Sequence, residues 1–254
     1  MTTTIIITMA GMGKRFLDAG YDRPKYRIEA HGRTLFAWSL LSLQAFLAEG
    51  ARCIFVVRAE DQARTFIGEQ CRLLGIASYD VVELDALTDG QATSALLAKP
   101  QVTAPDQPML VYNIDTYVDP RTLPAQAVRG DGWVPCFPGA GAAWSFAKAD
   151  ADGRIAMLRE KERISGDATV GLYWFSSFTL YETIYHRFFA DPSNLAKGER
   201  YIAPMYNDMI AHGHPVYLHR IPLEAVIPLG TPADVEAFQA QPVPQLDANV
   251  AARQ

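Results

Sequence analysis

Apolar residues along this chain follow two spacings. Ile5 to Ile7, Cys53 to Val57, Tyr79 to Leu84 and Pro108 to Thr116 are short runs rich in β-branched and aromatic residues, and they read as buried strands. Between them the spacing is helical. Leu35, Trp38, Leu41 and Ala45 share one face, which predicts a helix from a Thr34 N-cap to about Glu49, ended by Gly50. A second helix is predicted over Glu60 to Leu74, closed by Gly75, and a shorter one starts around Arg15 and Phe16. Strands alternating with helices imply an α/β fold with a largely parallel sheet covered on both faces. Ligands of such sheets sit beyond the carboxyl ends of the strands.

The pattern changes after about residue 125. Gly130-Asp131-Gly132 is a turn before the run Trp133 to Phe137, and Gly139 to Ala143 is a flexible small-residue link. Trp144 to Ala147 and Ile155 to Leu158 read as strands joined by a hairpin turn at Asp150 to Gly153. Ala168 to Phe175 and Pro215 to Ile221 are further strands. Tyr181 to Phe189 and a stretch ending near Ile210 are helices, and a last helix begins at Gly230-Thr231-Pro232, with Asp234 in its first turn. His212 and His214 flank Gly213, for which a helix-ending turn is a better account than a metal site. The Gln, Pro and Ala-rich segment 239–254 reads as a mobile tail behind a single domain over 1–238.

Composition narrows the chemistry. The 254 residues carry a formal net charge of -5, so no basic field exists for nucleic acid. Three widely spaced cysteines, Cys53, Cys71 and Cys136, fit neither a disulfide framework nor a zinc pattern, which points to a reducing cytoplasm. No window approaches the ~20 apolar residues of a membrane span, so no membrane partner is expected. Oligomeric state is not legible.

Where the first strand ends, Ala10-Gly11-Met12-Gly13 lets the backbone turn sharply and approach a ligand. Two glycines also suit an ordinary turn. Here Lys14 and Arg15 follow at once, and Lys25 stands ten residues after Arg15. Three cations beside one backbone nest suit a triphosphate. The pattern is not a P-loop, and it lacks the third glycine of the dinucleotide fingerprint. Gly90 opens a small-residue helix after a loop that begins at Asp85, suited either to tight packing or to a flat ligand. Asp115 ends the fourth strand, where a carboxylate either caps a turn or holds a hard cation such as Mg²⁺.

On these residues the chain resembles the sugar-phosphate nucleotidyltransferases, such as glucose-1-phosphate thymidylyltransferase. That family carries A-G-x-G-x-R-[LF] and then P-K, matched by Ala10 to Phe16 and Pro24-Lys25. It continues with a glycine loop under the base, a metal-binding aspartate, a D-G turn, E-K and G-[LI]-Y-[WF]. These are matched by Gly90-Gln91, Asp115, Asp152-Gly153, Glu160-Lys161 and Gly171 to Trp174, in that order. The resemblance implies a Rossmann-like three-layer fold with a mixed, mostly parallel sheet. A nucleotide half over 1–125 would precede a sugar-phosphate half over 126–238. The implied reaction joins a nucleoside triphosphate to a sugar 1-phosphate with Mg²⁺, releases pyrophosphate and supplies nucleotide-sugars to polysaccharide biosynthesis. Arg15, Lys25 and Asp115 would be catalytic. Ala10, Gly11, Met12, Gly13, Lys14, Asp85, Gly90 and Gln91 would bind nucleotide. Asn113, Glu160, Lys161, Gly171 and Tyr173 would bind the acceptor. Tyr201, Tyr206 and Asn207 either face the acceptor or serve the core.

Two departures matter. Asn113-Ile114-Asp115 stands where the family reads G-D, and Pro228 stands where it places a second metal-binding aspartate. Asp85 falls near the base-reading glutamine of thymidine- and uridine-using relatives. An ionised carboxylate only accepts hydrogen bonds, so Asp85 there would favour cytosine or guanine. Alternative readings are a cytidylyltransferase for a non-sugar phosphate such as phosphocholine, a glycosyltransferase on a related sheet, and a non-catalytic nucleotide-binding protein.

Overall fold

A computed structural model describes residues 2–246. Ten strands form one sheet that runs through both halves of the chain. In chain order, β1 is Thr4–Thr8, β2 Arg52–Arg58, β3 Tyr79–Leu84 and β4 Met109–Asn113. They lie in the order β3-β2-β1-β4, all parallel, as the alternating pattern predicts. The second half adds β5 (Gly132–Pro138), β6 (Ser145–Ala149), β7 (Ile155–Glu160), β8 (Asp167–Thr169), β9 (Leu172–Phe175) and β10 (Val216–Arg220). β9 joins the halves by pairing antiparallel with both β4 and β5. β10 runs parallel along β5, and the hairpin β6–β7 lies beyond β8.

Successive residues of β1 face opposite layers, as strand geometry requires. Ile5 and Ile7 belong to a core with Phe36, Leu40, Phe55 and Tyr112, whereas Ile6 belongs to one with Val56, Val111, Phe175 and Tyr181. Helices α2 (Leu35–Leu41), α3 (Gln44–Ala48) and α4 (Arg64–Leu74) supply residues to the first core. Helices α5 (Gln91–Leu96), α6 (Phe178–Phe188) and α7 (Tyr206–Ala211) supply the second. α1 (Lys14–Asp18) and α8 (Pro232–Gln239) meet in a third cluster around Phe16, Trp38 and Phe238.

Several elements differ from the pattern. The helix expected from Thr34 to Glu49 is capped by Thr34 but breaks after Leu41. Ser42 is buried there, and its Oγ accepts the Val118 N–H at 2.9 Å. The second helix starts at Arg64 rather than Glu60, because Asp61 and Gln62 receive bonds from Tyr26 and Arg27 and Gln62 is left-handed. The strand expected over Ala168 to Phe175 divides at Val170-Gly171, where Gly171 has a φ of 79°. The fourth strand stops at Asn113, and Thr116–Val118 pairs with Val226–Pro228 in a small separate sheet. That pairing brings Pro228 and Gly230 back beside Asp115. Of the expected tail, Gln239 belongs to α8 and Leu246 packs on the third cluster. Residues 247–254 lie outside the described residues.

Candidate active site

β1 and β4 end side by side, with Thr8 opposite Asn113. Gln91, the first residue of α5, donates from Nε2 to Thr8 Oγ1 at 3.2 Å and to Asn113 Oδ1. This knot divides a cleft at the carboxyl edge of the sheet into two compartments. One, of about 480 Å³, is lined by Ala10, Gly11, Met12, Lys25, Thr88, Gly90 and Glu199 among others. The other, of about 350 Å³, is lined by Arg15, Trp144, Ser145, Glu160, Tyr173, Tyr201 and Asp234 among others. Gln91, Asn113 and Asp115 line both and mark the junction.

The loop after β1 forms the floor of the first compartment. Among the described residues, no carbonyl or side chain accepts from the N–H groups of Ala10 through Arg15. A succession of bare amides at one turn attracts an anion. Gly13 starts α1 with a φ of 62°, and α1 is too short for a large helix dipole, so the amides and cations supply the field. Nothing stands within 4 Å of where a Gly11 side chain would project.

At the junction Lys25 Nζ lies 2.6 Å from Asp115 Oδ2, with the two side chains 20% and 27% exposed. A half-wet ion pair of this kind can exchange partners when a more highly charged ligand arrives. Arg15 is exposed and makes no bond to other described side chains, so its guanidinium is available to a ligand.

In the second compartment the Glu160 carboxylate is 7% exposed, accepts from Ser145 Oγ and lies 3.6 Å from Lys161 Nζ. Burial pushes its pKa above the ordinary glutamate value, opposed by the Ser145 bond and the Lys161 charge. The Tyr173 hydroxyl bonds Thr169 Oγ1 at 3.1 Å and Ser145 Oγ at 3.4 Å. Lys161 itself reaches the compartment wall by donating to the Tyr201 hydroxyl at 2.6 Å.

Gly171 closes the wall behind Asn113. Its carbonyl accepts the Asn113 N–H at 3.1 Å, and a Cβ at this left-handed position would stand 2.7 Å from Asn113 Cγ. Gly171→Ala is therefore expected to cost about 1–3 kcal/mol of stability. It should also displace the Gln91–Asn113 knot, with a matching loss of activity. An unchanged urea midpoint would contradict this account.

The structure thus brings together Ala10, Gly11, Met12, Arg15, Lys25, Gly90, Gln91, Asn113, Asp115, Glu160, Gly171 and Tyr173 along one cleft. Gly13 and Lys25 also line a hollow on the outer side of the loop, and Lys14 is exposed. Asp85 is exposed and lines neither compartment; Leu87 and Thr88 stand at that end instead. Of the three candidates after residue 200, only Tyr201 faces the cleft. Tyr206 is buried with its hydroxyl on Trp174 O, and Asn207 bonds both backbone groups of Leu158. His212 bonds the Asp208 carbonyl in the turn ending α7, and His214 bonds Asp131. Ser145, Thr231 and Asp234 also line the second compartment; Thr231 and Asp234 carry a sequence signal only as the start of the last helix, and Ser145 carries none.

Asp115 provides a hard oxygen donor at the junction of the two compartments. No group of three or more His, Cys, Asp or Glu side chains suited to a metal occurs among the described residues. This donor set fits a cation that brings most of its ligands as water and phosphate oxygens, which is the habit of Mg²⁺.

No model of a protein family matches the chain, and no curated protein does. Solved structures match closely. A nucleoside-diphosphate-sugar pyrophosphorylase from Vibrio cholerae RC9 is 36% identical over 93% of this chain and 100% of its own, with a TM-score of 0.87. An inositol-1-phosphate CTP transferase from T. maritima is 16% identical over 99% of this chain and 94% of its own, with a TM-score of 0.72. The fold is therefore that of the nucleotide-diphospho-sugar transferases. With this identity over nearly its whole length, the chain belongs to the sugar-phosphate nucleotidyltransferase family.

Proposed function

We propose that this protein joins a nucleoside triphosphate to a sugar 1-phosphate, releasing pyrophosphate and a nucleotide-sugar. The observation that carries this reading is the pair of compartments meeting at Lys25 and Asp115. The first offers bare amides and the Lys25 ammonium to a triphosphate, and the second offers hydrogen-bonding groups to a polyhydroxylated acceptor, with Arg15 at its edge. Most of the nucleotide lining comes from 1–125 and much of the acceptor lining from 126–238, while Arg15, Gln91, Asn113 and Asp115 also line the second compartment and Glu199 the first. The work belongs to the cytoplasm, and the product suits polysaccharide assembly. No helix among the described residues is long and apolar enough to cross a membrane.

The acceptor phosphate attacks the α-phosphorus in line, so no enzyme nucleophile is needed and catalysis is positioning and charge neutralisation. Arg15, which lines the second compartment and has no bonded partner among the described side chains, turns with Lys14 to the departing pyrophosphate. Lys25 leaves Asp115 to meet charge developing at the α-phosphate, and Lys161 holds the acceptor phosphate. Glu160 accepts hydrogen bonds from acceptor hydroxyls. Mg²⁺ held by Asp115 would neutralise phosphate charge when bound.

A second reading has its own observation. The acceptor compartment joins Trp144, Tyr173 and Tyr201 with the carboxylates of Glu160 and Asp234, a lining that also suits the cationic head of an acceptor such as phosphocholine. One screen separates the two. Pyrophosphate release is measured with each nucleoside triphosphate, Mg²⁺ and a panel of sugar 1-phosphates plus phosphocholine. Release with sugar phosphates supports the first reading, release with phosphocholine alone supports the second, and none with any pair refutes both.

Glu160 makes acceptor binding pH-dependent. Its raised pKa means that it takes up a proton at a higher pH than a free glutamate. Above that pKa it accepts from acceptor hydroxyls, and below it one acceptor site is lost. KM for the acceptor should therefore rise as pH falls through a point above 4.5, the ordinary value. Glu160→Gln should flatten the profile, and an equally steep profile in that variant would count against the role.

A further inference from the structure

The segment Glu199–Tyr201 belongs to no helix or strand, yet it reaches both compartments: Glu199 lines the first and Tyr201 the second. Its middle residue is fastened to the nucleotide loop. Arg200 N–H donates to Asp89 O at 2.7 Å, and Ala92 N–H donates to Arg200 O at 3.0 Å. Gly90 makes the approach possible, since its φ is 140° and a Cβ there would stand 2.5 Å from Arg200 O. The Arg200 guanidinium pairs with Asp89, bonds the Tyr185 hydroxyl and lies over the Tyr185 and Phe189 rings. Just before it, Ala196 and Glu199 exchange backbone bonds and close a tight turn. The position of Tyr201 is thus set by the loop around Gly90.

Tyr201 in turn holds Lys161. The ammonium donates to the Tyr201 hydroxyl at 2.6 Å and lies 4.5 Å from the centre of its ring. Lys161 enters this contact from a left-handed backbone, φ 53°, with its N–H on Trp144 O at 3.0 Å. Such a conformation is uncommon for a residue with a side chain and marks a constrained position. The Glu160 carboxylate stands 3.6 Å from the same ammonium. A free lysine would have to give up its rotamer freedom on meeting a phosphate, whereas this one is already oriented.

We propose that Tyr201 is a positioning residue that aims Lys161 at the acceptor phosphate, and that its attachment through Arg200 ties the acceptor cation to the nucleotide loop. This rests on the reading of Lys161 as the acceptor-phosphate ligand. Tyr201→Phe keeps the ring and removes the hydroxyl. With the acceptor turned over in the pyrophosphate screen, the variant should raise acceptor KM about tenfold and leave the nucleotide KM unchanged. In a Lys161→Met background the same substitution should add nothing. An unaltered acceptor KM, or a full effect without Lys161, overturns the proposal.

A second measurement needs no substrate. Acetic anhydride labelling followed by peptide mass spectrometry should acylate Lys161 several-fold faster in Tyr201→Phe than in the parent. Equal rates overturn the contact. If the parent releases pyrophosphate with no pair of substrates, the functional reading fails instead, and the labelling result still decides whether Tyr201 holds Lys161.

Discussion

In Lys25→Ala, turnover is expected to fall by about 10²-fold or more, since a cation aimed at developing phosphate charge is worth that much in a preorganised site. Lys25 reaches the junction from the segment after the phosphate loop and stands 2.6 Å from Asp115, so it is the only lysine placed between the compartments among the described residues lining them. Its loss also leaves Asp115 as an uncompensated negative charge facing a triphosphate, which adds repulsion. Folding should be little affected, because partly exposed ion pairs contribute little to stability. Arg15→Ala should reduce turnover by a similar factor. Its side chain has no bonded partner in the described protein, so any loss reports on ligand contact rather than on a broken internal pair. Near-normal turnover in Lys25→Ala, with correct folding shown by circular dichroism, would remove Lys25 from the mechanism.

Asp115→Asn is expected to abolish Mg²⁺-dependent turnover. The backbone of Asp115 is held independently of its side chain, because its carbonyl accepts the Leu229 N–H at 2.8 Å. The substitution keeps the volume and removes the charge, so the fold should survive with its thermal midpoint shifted by no more than a few degrees. An amide is a much poorer ligand for a hard dication than a carboxylate. Pro228, which lines the same compartment, has no side-chain donor, so half-saturation by Mg²⁺ in the parent should be weaker than a two-carboxylate site gives. A variant that retains both its rate and its Mg²⁺ requirement would place the cation elsewhere.

What was legible in the sequence was local. The bare-amide loop from Ala10 to Arg15, the parallel strands up to β4 and Asp115 at the end of a buried run all follow from neighbouring residues. The features that escaped depend on residues far apart in the chain. Ser42 breaks a well-patterned helix because its hydroxyl receives a bond from Val118. Gly171 interrupts an apolar run that reads as one strand, and its reason is the side chain of Asn113. Asp85 falls near the base in the sequence pattern, but in the fold Leu87 and Thr88 line the compartment and Asp85 does not. Tyr201, Tyr206 and Asn207 look alike in the sequence, and only long-range contacts separate them: Tyr206 bonds Trp174 O, Asn207 bonds Leu158, and Tyr201 lines the cleft beside the fastened Arg200. Pro228 was visible as a departure from the family pattern, and its return beside Asp115 shows why that departure bears on the cation.

The central claim is that the acceptor's phosphate oxygen attacks the α-phosphorus directly, and isotope tracing tests it most directly. The acceptor identified in the screen is prepared with ¹⁸O in its phosphate group and incubated with the preferred triphosphate and Mg²⁺, and the products are analysed by mass spectrometry and ³¹P NMR. All of the label should appear in the diphosphate of the nucleotide product, with unlabelled pyrophosphate formed in equal amount. Label in pyrophosphate or in free inorganic phosphate, or a labelled product formed without pyrophosphate, would contradict the account.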